Sequence, residues 1–164
     1  MPPKFMAQGR NSPAAASHGQ ALRIRILQSI HEIDAARWNA LCGRNALPRS
    51  HAYLAAVEAS GISDCRFYYP IIFNADNTIL AHACVYTITT DFAQLLPRLA
   101  QSAVRGIRRW WPRFLFARIT ECASPLMIGH SISMRPGEDN DRLLHELADT
   151  VASIARAERS AILV

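Results

Sequence analysis

The sequence almost lacks lysine: Lys4 is the single lysine among 18 basic residues, and arginine supplies the rest. A bias that runs along the whole chain indicates genomic base composition, so the number of arginines does not by itself predict a polyanion-binding protein. The segment 92–120 also lacks acidic residues, although it contains six arginines. Outside it, 12 basic residues face 13 acidic ones, so the net charge of +5 comes from this one segment.

Other absences narrow the class of protein. The four cysteines form no C-x-x-C pair, so the spacing typical of a zinc site is missing. Apolar neighbours around Cys42, Cys65 and Cys84 predict buried thiols. The N-terminus lacks the apolar core of a signal peptide, and no apolar run reaches the length of a membrane span. We therefore expect a cytoplasmic protein in a reducing compartment, without a metal.

The chain divides into a tail and one domain. Residues 1–21 are rich in Pro, Ala, Ser and Gly, which predicts a flexible tail, and residues 22–164 have the composition of a single globular domain. Apolar periodicity predicts strands at 22–30, 65–74, 78–90, 113–121 and 160–164, with a further short strand near Leu126–Ile128. It predicts helices at 34–43, 50–61, 93–111 and 139–159. Asp34, Ser50 and either Asp139 or Asn140 are the predicted N-caps, and Gly43 and Gly61 are the predicted stops. The buried stripe predicted for the last helix is Leu143, Leu144, Leu147, Val151, Ile154 and Ala155.

The order β-α-α-β-β-α-β-α-β predicts an α/β (α+β) fold in which helices cover both faces of a mixed sheet. Pro70 lies within the second strand, which places that strand at an edge or at a bulge. The terminal "SAILV" is almost wholly apolar, which favours an interior position in the sheet. Such a strand needs a neighbour, so the pattern predicts missing chain after Val164 or a partner that covers the strand.

The helix at 93–111 is amphipathic, and Pro112 ends it. One face carries apolar side chains, at Leu96, Leu99, Ala103, Ile107 and Trp110. The other face is basic and includes Arg98, Arg105 and Arg108. Three interpretations stay open for these arginines. In the first, they form a solvated face while Trp110 and Trp111 pin the helix to the sheet. In the second, they bind an anionic membrane or an anionic substrate. In the third, they bind tRNA phosphates while the tryptophans stack on bases, or they meet a protein partner. Phe114 and Phe116, after the proline, are expected in the core.

Several short motifs share one resemblance. They are "WNAL" at 38–41, "SHAYLAAVEASG" at 50–61, "HACVY" at 82–86 and "ECASPLMIG" at 121–129. Together with the element order, they resemble the GNAT-like acyltransferase superfamily, and within it the bacterial Fem-type and peptidoglycan-biosynthesis-like transferases with duplicated GNAT-like domains. The resemblance spans about 22–164 and implies the N-terminal domain of such a protein, truncated at its C-terminus and joined in the full protein by a second domain or by a homodimer partner.

The resemblance implies acetyl-CoA or another acyl donor, and one loop departs from that expectation. GNAT enzymes bind the coenzyme A pyrophosphate at a glycine-rich loop that begins a helix. Here the loop reads "RPGEDNDRLL", with Gly137 as its single glycine and carboxylates at Glu138, Asp139 and Asp141. Because carboxylates repel an anion from a helix N-terminus, this loop predicts poor binding of a pyrophosphate.

The same resemblance implies candidate catalytic residues at a glutamate and a tyrosine, and a neighbouring cysteine is a candidate by its own chemistry. Glu121 ends a strand where GNAT-like folds carry a catalytic carboxylate, and it is the candidate general base. Tyr86, or Tyr69, is the candidate acid that protonates a leaving thiolate. Cys122 is a candidate nucleophile if a histidine activates it. For each residue the alternative is structural: a solvated glutamate, tyrosines that pack in strands, and a buried thiol.

The histidine that would activate Cys122 is either His82 or His130. His82 also fits a buried strand histidine, and Trp38 is expected to anchor the core. The expected function is that of an acyl- or aminoacyl-transferase domain in which an amine attacks an activated acyl group. The chain would then be part of a larger enzyme. The alternative is a non-catalytic GNAT-like domain that serves binding or assembly.

Overall fold

A computed structural model describes residues 21–43, 46–62, 64–125 and 131–163. The predicted tail and the predicted strand near 126–128 lie outside these residues. The described chain is a mixed α+β fold of seven strands and four α-helices. In chain order these are β1 Arg23–Leu27, α1 Ala35–Asn39, α2 His51–Ala59, β2 Arg66–Phe73, β3 Ile79–Ala83, β4 Val85–Asp91, α3 Arg98–Ile107, β5 Phe116–Glu121, β6 Ile132–Met134, α4 Asn140–Ala157 and β7 Ile162–Leu163.

The long hairpin predicted from the sequence forms the centre of the sheet. β2 pairs antiparallel with β4 through Tyr68 and Val85, and with β3 through Ile71 and His82. Both pairings share one register, so β3 and β4 act as a single strand interrupted between them. β1 covers the other edge of β2. Of the two alternatives predicted for Pro70, the sheet edge is wrong, because Pro70 lies in a central strand where the pairing passes from β4 to β3. The other alternative was a bulge, and the register of this strand does shift nearby, between Ile72 and Phe73.

The next two strands extend along the same edge of that hairpin. β5 pairs antiparallel with β4, and β6 pairs antiparallel with β3. Because β3 and β4 run in the same direction, β5 and β6 also run in the same direction, and residues 122–131 connect them. This segment returns to the sheet at Ser131, whose Oγ donates to the carbonyl of Cys84 at 2.9 Å, while the Cys84 amide donates to Ser131 O at 3.3 Å. The sequence pattern did not predict β6, because this strand forms by pairing with β3, which is distant in the sequence.

Helices cover both faces of the sheet, as predicted. On one face, Trp38 of α1 and Leu54 of α2 pack with Tyr69 of β2, and all three are fully buried. On the other face, Leu143 and Leu147 of α4 pack against the hairpin, with Val151 and Ile154 further along the helix. The stripe expected for α4 differs at Leu144, which is exposed. No helix among the described residues is both long and apolar enough to cross a bilayer.

Three helices begin at N-caps that the sequence predicts. Side-chain oxygens of Asp34, Ser50 and Asp139 accept the backbone N–H groups three residues further along. Such caps satisfy one of the amides that a helix leaves unpaired at its start. Gly61, the predicted stop of α2, has a φ of +65°, and Gly43 after α1 has a φ of +71°, both in the left-handed region.

The region between β4 and β5 differs most from expectation. The predicted helix 93–111 is shorter in the structure, since α3 spans Arg98–Ile107 and both tryptophans lie beyond its end. Leu99 and Trp110 of the predicted apolar face are 88% and 92% exposed, and Val104 is the buried residue of α3. β5 begins later than predicted because Leu115 has a φ of +64°, which strands do not adopt. Both phenylalanines were expected in the core, but Phe116 is exposed and Phe114 is only half-buried.

The last strand was also predicted to be interior. β7 instead lies at the end of the strand order, where it pairs with β5 in parallel through Ile162 and Ile119. Ile162 and Leu163 are both exposed in the described chain. β7 is therefore an apolar edge strand.

Candidate active site

Two of the candidate catalytic residues meet across the sheet. Tyr86 of β4 and Glu121 of β5 are directly opposed in the antiparallel ladder. The phenol of Tyr86 donates a hydrogen bond to Oε2 of Glu121. Both side chains are half-buried, and they stand at the end of β5, where the chain leaves the sheet. The structure thus brings together a proton donor and a carboxylate acceptor that are 35 positions apart.

The environment of Tyr86 holds its hydroxyl in the protonated form. Burial raises the pKa of Tyr86 well above its usual value, and the hydrogen bond to Glu121 and the carboxylate charge raise this pKa further. A phenol of this kind stays neutral at physiological pH and can supply a proton to a basic atom. The carboxylate beside it can accept one.

Cys122, the candidate nucleophile, lies on the opposite face of the sheet from this pair. Consecutive strand residues alternate between faces, and Cys122 packs with the residues that α4 covers. Burial raises the pKa of the Cys122 thiol, while a 3.6 Å contact with the hydroxyl of Ser131 opposes that shift. A neutral thiol is a poor nucleophile.

Of the two histidines proposed as activators of Cys122, the described residues include His82, which lies elsewhere in the core. His130 lies outside the described residues. His82 is fully buried and stacks on Trp38 with ring centroids 3.7 Å apart. Its Nε2 atom lies 3.1 Å from the Trp38 carbonyl and 3.9 Å from the sulfur of Cys42. Burial lowers the pKa of His82 to about 4, so the ring is neutral in the core.

Tyr69, the second tyrosine considered as an acid, is also a core residue. Its side chain is fully buried and packs edge-on against Trp38, with ring centroids 5.6 Å apart. Burial raises the pKa of Tyr69 far above its usual value. A substrate cannot reach it without opening the core, which leaves Tyr86 as the accessible tyrosine of the two.

The start of α4 has the features that disfavour a pyrophosphate. Asp139 caps the helix, with its Oδ1 atom 3.1 Å from the amide of Arg142. Glu138 and Asp141 place two more carboxylates in the same turn. Because the cap already occupies an amide and the local charge is negative, these residues do not fit the pyrophosphate of coenzyme A.

The three candidate arginines of α3 have different environments. Arg98 and Arg105 are exposed. Arg108 instead faces the protein: its Nη1 atom lies 2.9 Å from Asp91 Oδ2, and its Nε donates to the Phe114 carbonyl at 3.0 Å. The Asp91 carboxylate also raises the pKa of Arg108. Arg108 therefore ties the end of α3 to the end of β4, and the exposed arginines are the ones available to a partner.

Sequence reasoning missed a second polar cluster, centred on Glu158. This carboxylate accepts hydrogen bonds from Tyr68 at 2.5 Å and from Arg66 at 3.1 Å, and it also pairs with Arg118. Burial raises the pKa of Glu158, but these bonds outweigh that effect and the pKa is lowered overall. Beside the cluster is an open cavity of about 600 Å³, whose lining includes Arg113, Arg118 and Glu158. Only the fold brings these residues together, because they are up to 92 positions apart.

No group of His, Cys, Asp and Glu side chains suited to a metal ion occurs among the residues that the structure describes.

Comparison with known proteins finds similarity to two proteins that share one name. The chain is 31% identical over 112 residues to two Mycobacterium tuberculosis proteins, from strains CDC 1551 / Oshkosh and ATCC 25618 / H37Rv. Both are named "Putative 8-amino-7-oxononanoate synthase 2". The match covers 68% of this chain and spans about 14% of the length of each relative. No protein-family model matches, and no solved structure matches significantly.

Proposed function

We propose that the chain is a GNAT-like domain of an acyl- or aminoacyl-transferase, in which Tyr86 and Glu121 form the acid–base pair. The observation that carries this proposal is the contact between the Tyr86 phenol and Glu121 Oε2. The α+β architecture, with helices on both faces of a mixed sheet, supports the resemblance to GNAT-like and Fem-type transferases. The similarity to a protein named as a synthase supports group-transfer chemistry in general.

The pair supplies both proton transfers that the reaction needs. As an amine attacks the acyl carbon, a C–N bond forms, the bond to the leaving group breaks, and the amine loses a proton. Glu121 takes that proton, and Tyr86 gives its own proton to the leaving group. Tyr86 then regains a proton from Glu121 through their hydrogen bond, which restores the starting state. Because its pKa is raised, Tyr86 gives up this proton only as strong negative charge develops on the leaving group.

In this proposal, the acyl donor binds without contact between a pyrophosphate and the start of α4. The cap formed by Asp139 and the carboxylates beside it oppose an anion there. We therefore expect that a thioester which lacks the nucleotide part, such as acetyl-pantetheine, binds as well as acetyl-CoA. An aminoacyl ester is a second donor class that fits the same acid–base pair.

The test combines donor binding with turnover. Acetyl-CoA, acetyl-pantetheine and aminoacyl donors are screened for a rise in melting temperature, since a ligand at 100-fold its Kd adds about 2.7 kcal/mol. Donors that bind are then mixed with a panel of amines, and leaving-group release is measured. Release that Glu121→Gln abolishes and Glu138→Gln leaves intact supports the proposal. Absence of both binding and release across the panel contradicts it.

A second candidate function rests on β7. Its exposed Ile162 and Leu163 form an apolar edge strand with backbone groups available to another strand. An edge of this kind favours pairing with a further sheet, which is the non-catalytic role of binding or assembly. A chain that associates through this edge, and is separated by Ile162→Lys without any donor binding, supports the second candidate over the first.

A further inference from the structure

The region around α3 carries most of the exposed large hydrophobic side chains of the described chain. Six of the eleven large hydrophobic side chains that are exposed lie between positions 95 and 116. They are Leu95, Leu99, Ile107, Trp110, Trp111 and Phe116. Monomeric proteins seldom leave two adjacent tryptophans in water, so a concentrated patch of this kind indicates a surface that meets a partner.

Exposed arginines border this patch. At about 100° per residue, Arg98 and Arg105 of α3 project within about 20° of each other, beside Leu99. The exposed Arg109, Trp110 and Trp111 follow in the turn after α3 ends at Ile107, and Arg109 is counted with Arg98 and Arg105 in the arginine row. None of these three arginines forms an ion pair within the described part of the chain, whereas Arg108 and Arg118 are paired with carboxylates. The segment 92–120 contains no acidic residue that would neutralise the row.

We infer that this face, the α3 patch (Leu95, Leu99, Trp110 and Trp111 with Arg98, Arg105 and Arg109), docks on the surface of an anionic phospholipid bilayer. Amphipathic helices lie in the plane of the interface with their apolar side chains among the acyl chains and their arginines at the headgroups. Tryptophan and tyrosine are the residues enriched at that depth. The inference does not depend on the chemistry at Glu121, since the pair with Tyr86 lies on the sheet.

A bilayer fits the patch better than the other occupants. A protein partner would have to supply a carboxylate opposite each arginine, whereas an anionic leaflet supplies negative charge everywhere along the row. Single-stranded nucleic acid would stack on the tryptophans but would not bury Leu95 and Leu99, which are 78% and 88% exposed.

The chain carries its own fluorescent reporter of docking. It has three tryptophans, of which Trp38 is fully buried while Trp110 and Trp111 are exposed. Phosphatidylcholine vesicles, with and without phosphatidylglycerol, are added to the 164-residue chain, and tryptophan emission and co-sedimentation are measured. We expect a blue shift and sedimentation with the phosphatidylglycerol vesicles, both reduced as salt rises.

Variants separate the two halves of the patch. Arg105→Ala/Arg109→Ala should weaken vesicle binding by about 25-fold, since each arginine near an anionic surface contributes about fivefold. Leu99→Ala should weaken it by about tenfold, because an inserted apolar side chain is lost. The control Leu47→Ala/Arg156→Ala removes one exposed apolar residue and one exposed arginine elsewhere and should leave binding unchanged.

Three outcomes overturn the inference. One is the absence of sedimentation and of any blue shift with phosphatidylglycerol vesicles. Another is a dimer in light scattering that Leu99→Glu separates into monomers, since a second copy of the chain would then cover the patch. A third is quenching of Trp110 and Trp111 by a single-stranded oligonucleotide at concentrations where vesicles have no effect.

Discussion

Removing the imidazole of His82 should change how the stability of the protein depends on pH. The ring is fully buried between Trp38 and the sheet, and burial lowers its pKa to about 4 from 6.5. Arg49, which also disfavours the protonated ring, and the Cys42 thiol are its polar neighbours. In the unfolded chain the ring takes up a proton below its usual pKa, and in the folded chain it does not.

The sign and size of the effect follow from linkage. Between about pH 6.5 and pH 4 the unfolded state binds one more proton than the folded state, so the free energy of unfolding falls as pH falls through this window. For the pKa values of His82, the loss between about pH 7.5 and pH 5 is about 2 kcal/mol. Above the window the contribution is constant.

Urea unfolding of the natural chain and of His82→Phe measures this difference, because the other five histidines are common to both chains. We expect the variant to be less stable than the natural chain near pH 7.5, since it loses the contact between His82 Nε2 and the Trp38 carbonyl. Its disadvantage should shrink by about 2 kcal/mol near pH 5. A disadvantage that is the same at both pH values refutes the account of His82 as a neutral core residue.

Three further predictions concern packing, the α3 junction and the thiols. Trp38→Ala should lower the free energy of unfolding by about 3–5 kcal/mol in urea titration, because the removed ring fills the space between His82 and Tyr69. Arg108→Ala should lower the melting temperature and Arg105→Ala should leave it unchanged, because Arg108, unlike Arg105, forms an ion pair with Asp91. Equal shifts in melting temperature would contradict this assignment. All four cysteines have raised pKa values, so the folded chain should react slowly with iodoacetamide near pH 7 and rapidly in urea. Rapid labelling of Cys122 in the folded state would restore it as a candidate nucleophile.

Local signals in the sequence predict the parts of the fold that depend on neighbouring residues. The caps at Asp34, Ser50 and Asp139 are correct because a helix start is decided within one turn. The central hairpin is correct because alternating apolar residues flank a short turn. Tyr86 and Glu121 were each predicted separately as candidate catalytic residues. The structure shows that the register of β4 and β5 places them in contact.

Other features depend on tertiary contacts that no local pattern carries. The cluster around Glu158 joins Arg66, Tyr68 and Arg118 from two strands to the end of α4. The amphipathic pattern of α3 indicates two faces but not which of them the sheet covers, and Leu99 of the apolar face is exposed. A strong amphipathic pattern indicates that the apolar face of a helix packs against something, which can be a partner outside the same chain.

The proposed reaction depends on a proton that Tyr86 and Glu121 share. Leaving-group release, with whichever donor and amine the screen identifies, is therefore compared among the natural chain, Tyr86→Phe, Glu121→Gln and the double variant. Because the two residues act as one unit, each single change should lower the rate by about 100-fold or more, and the double change should lower it little further. Losses that add in the double variant, or single variants that keep the natural rate, would contradict the assignment of this pair as the acid–base centre.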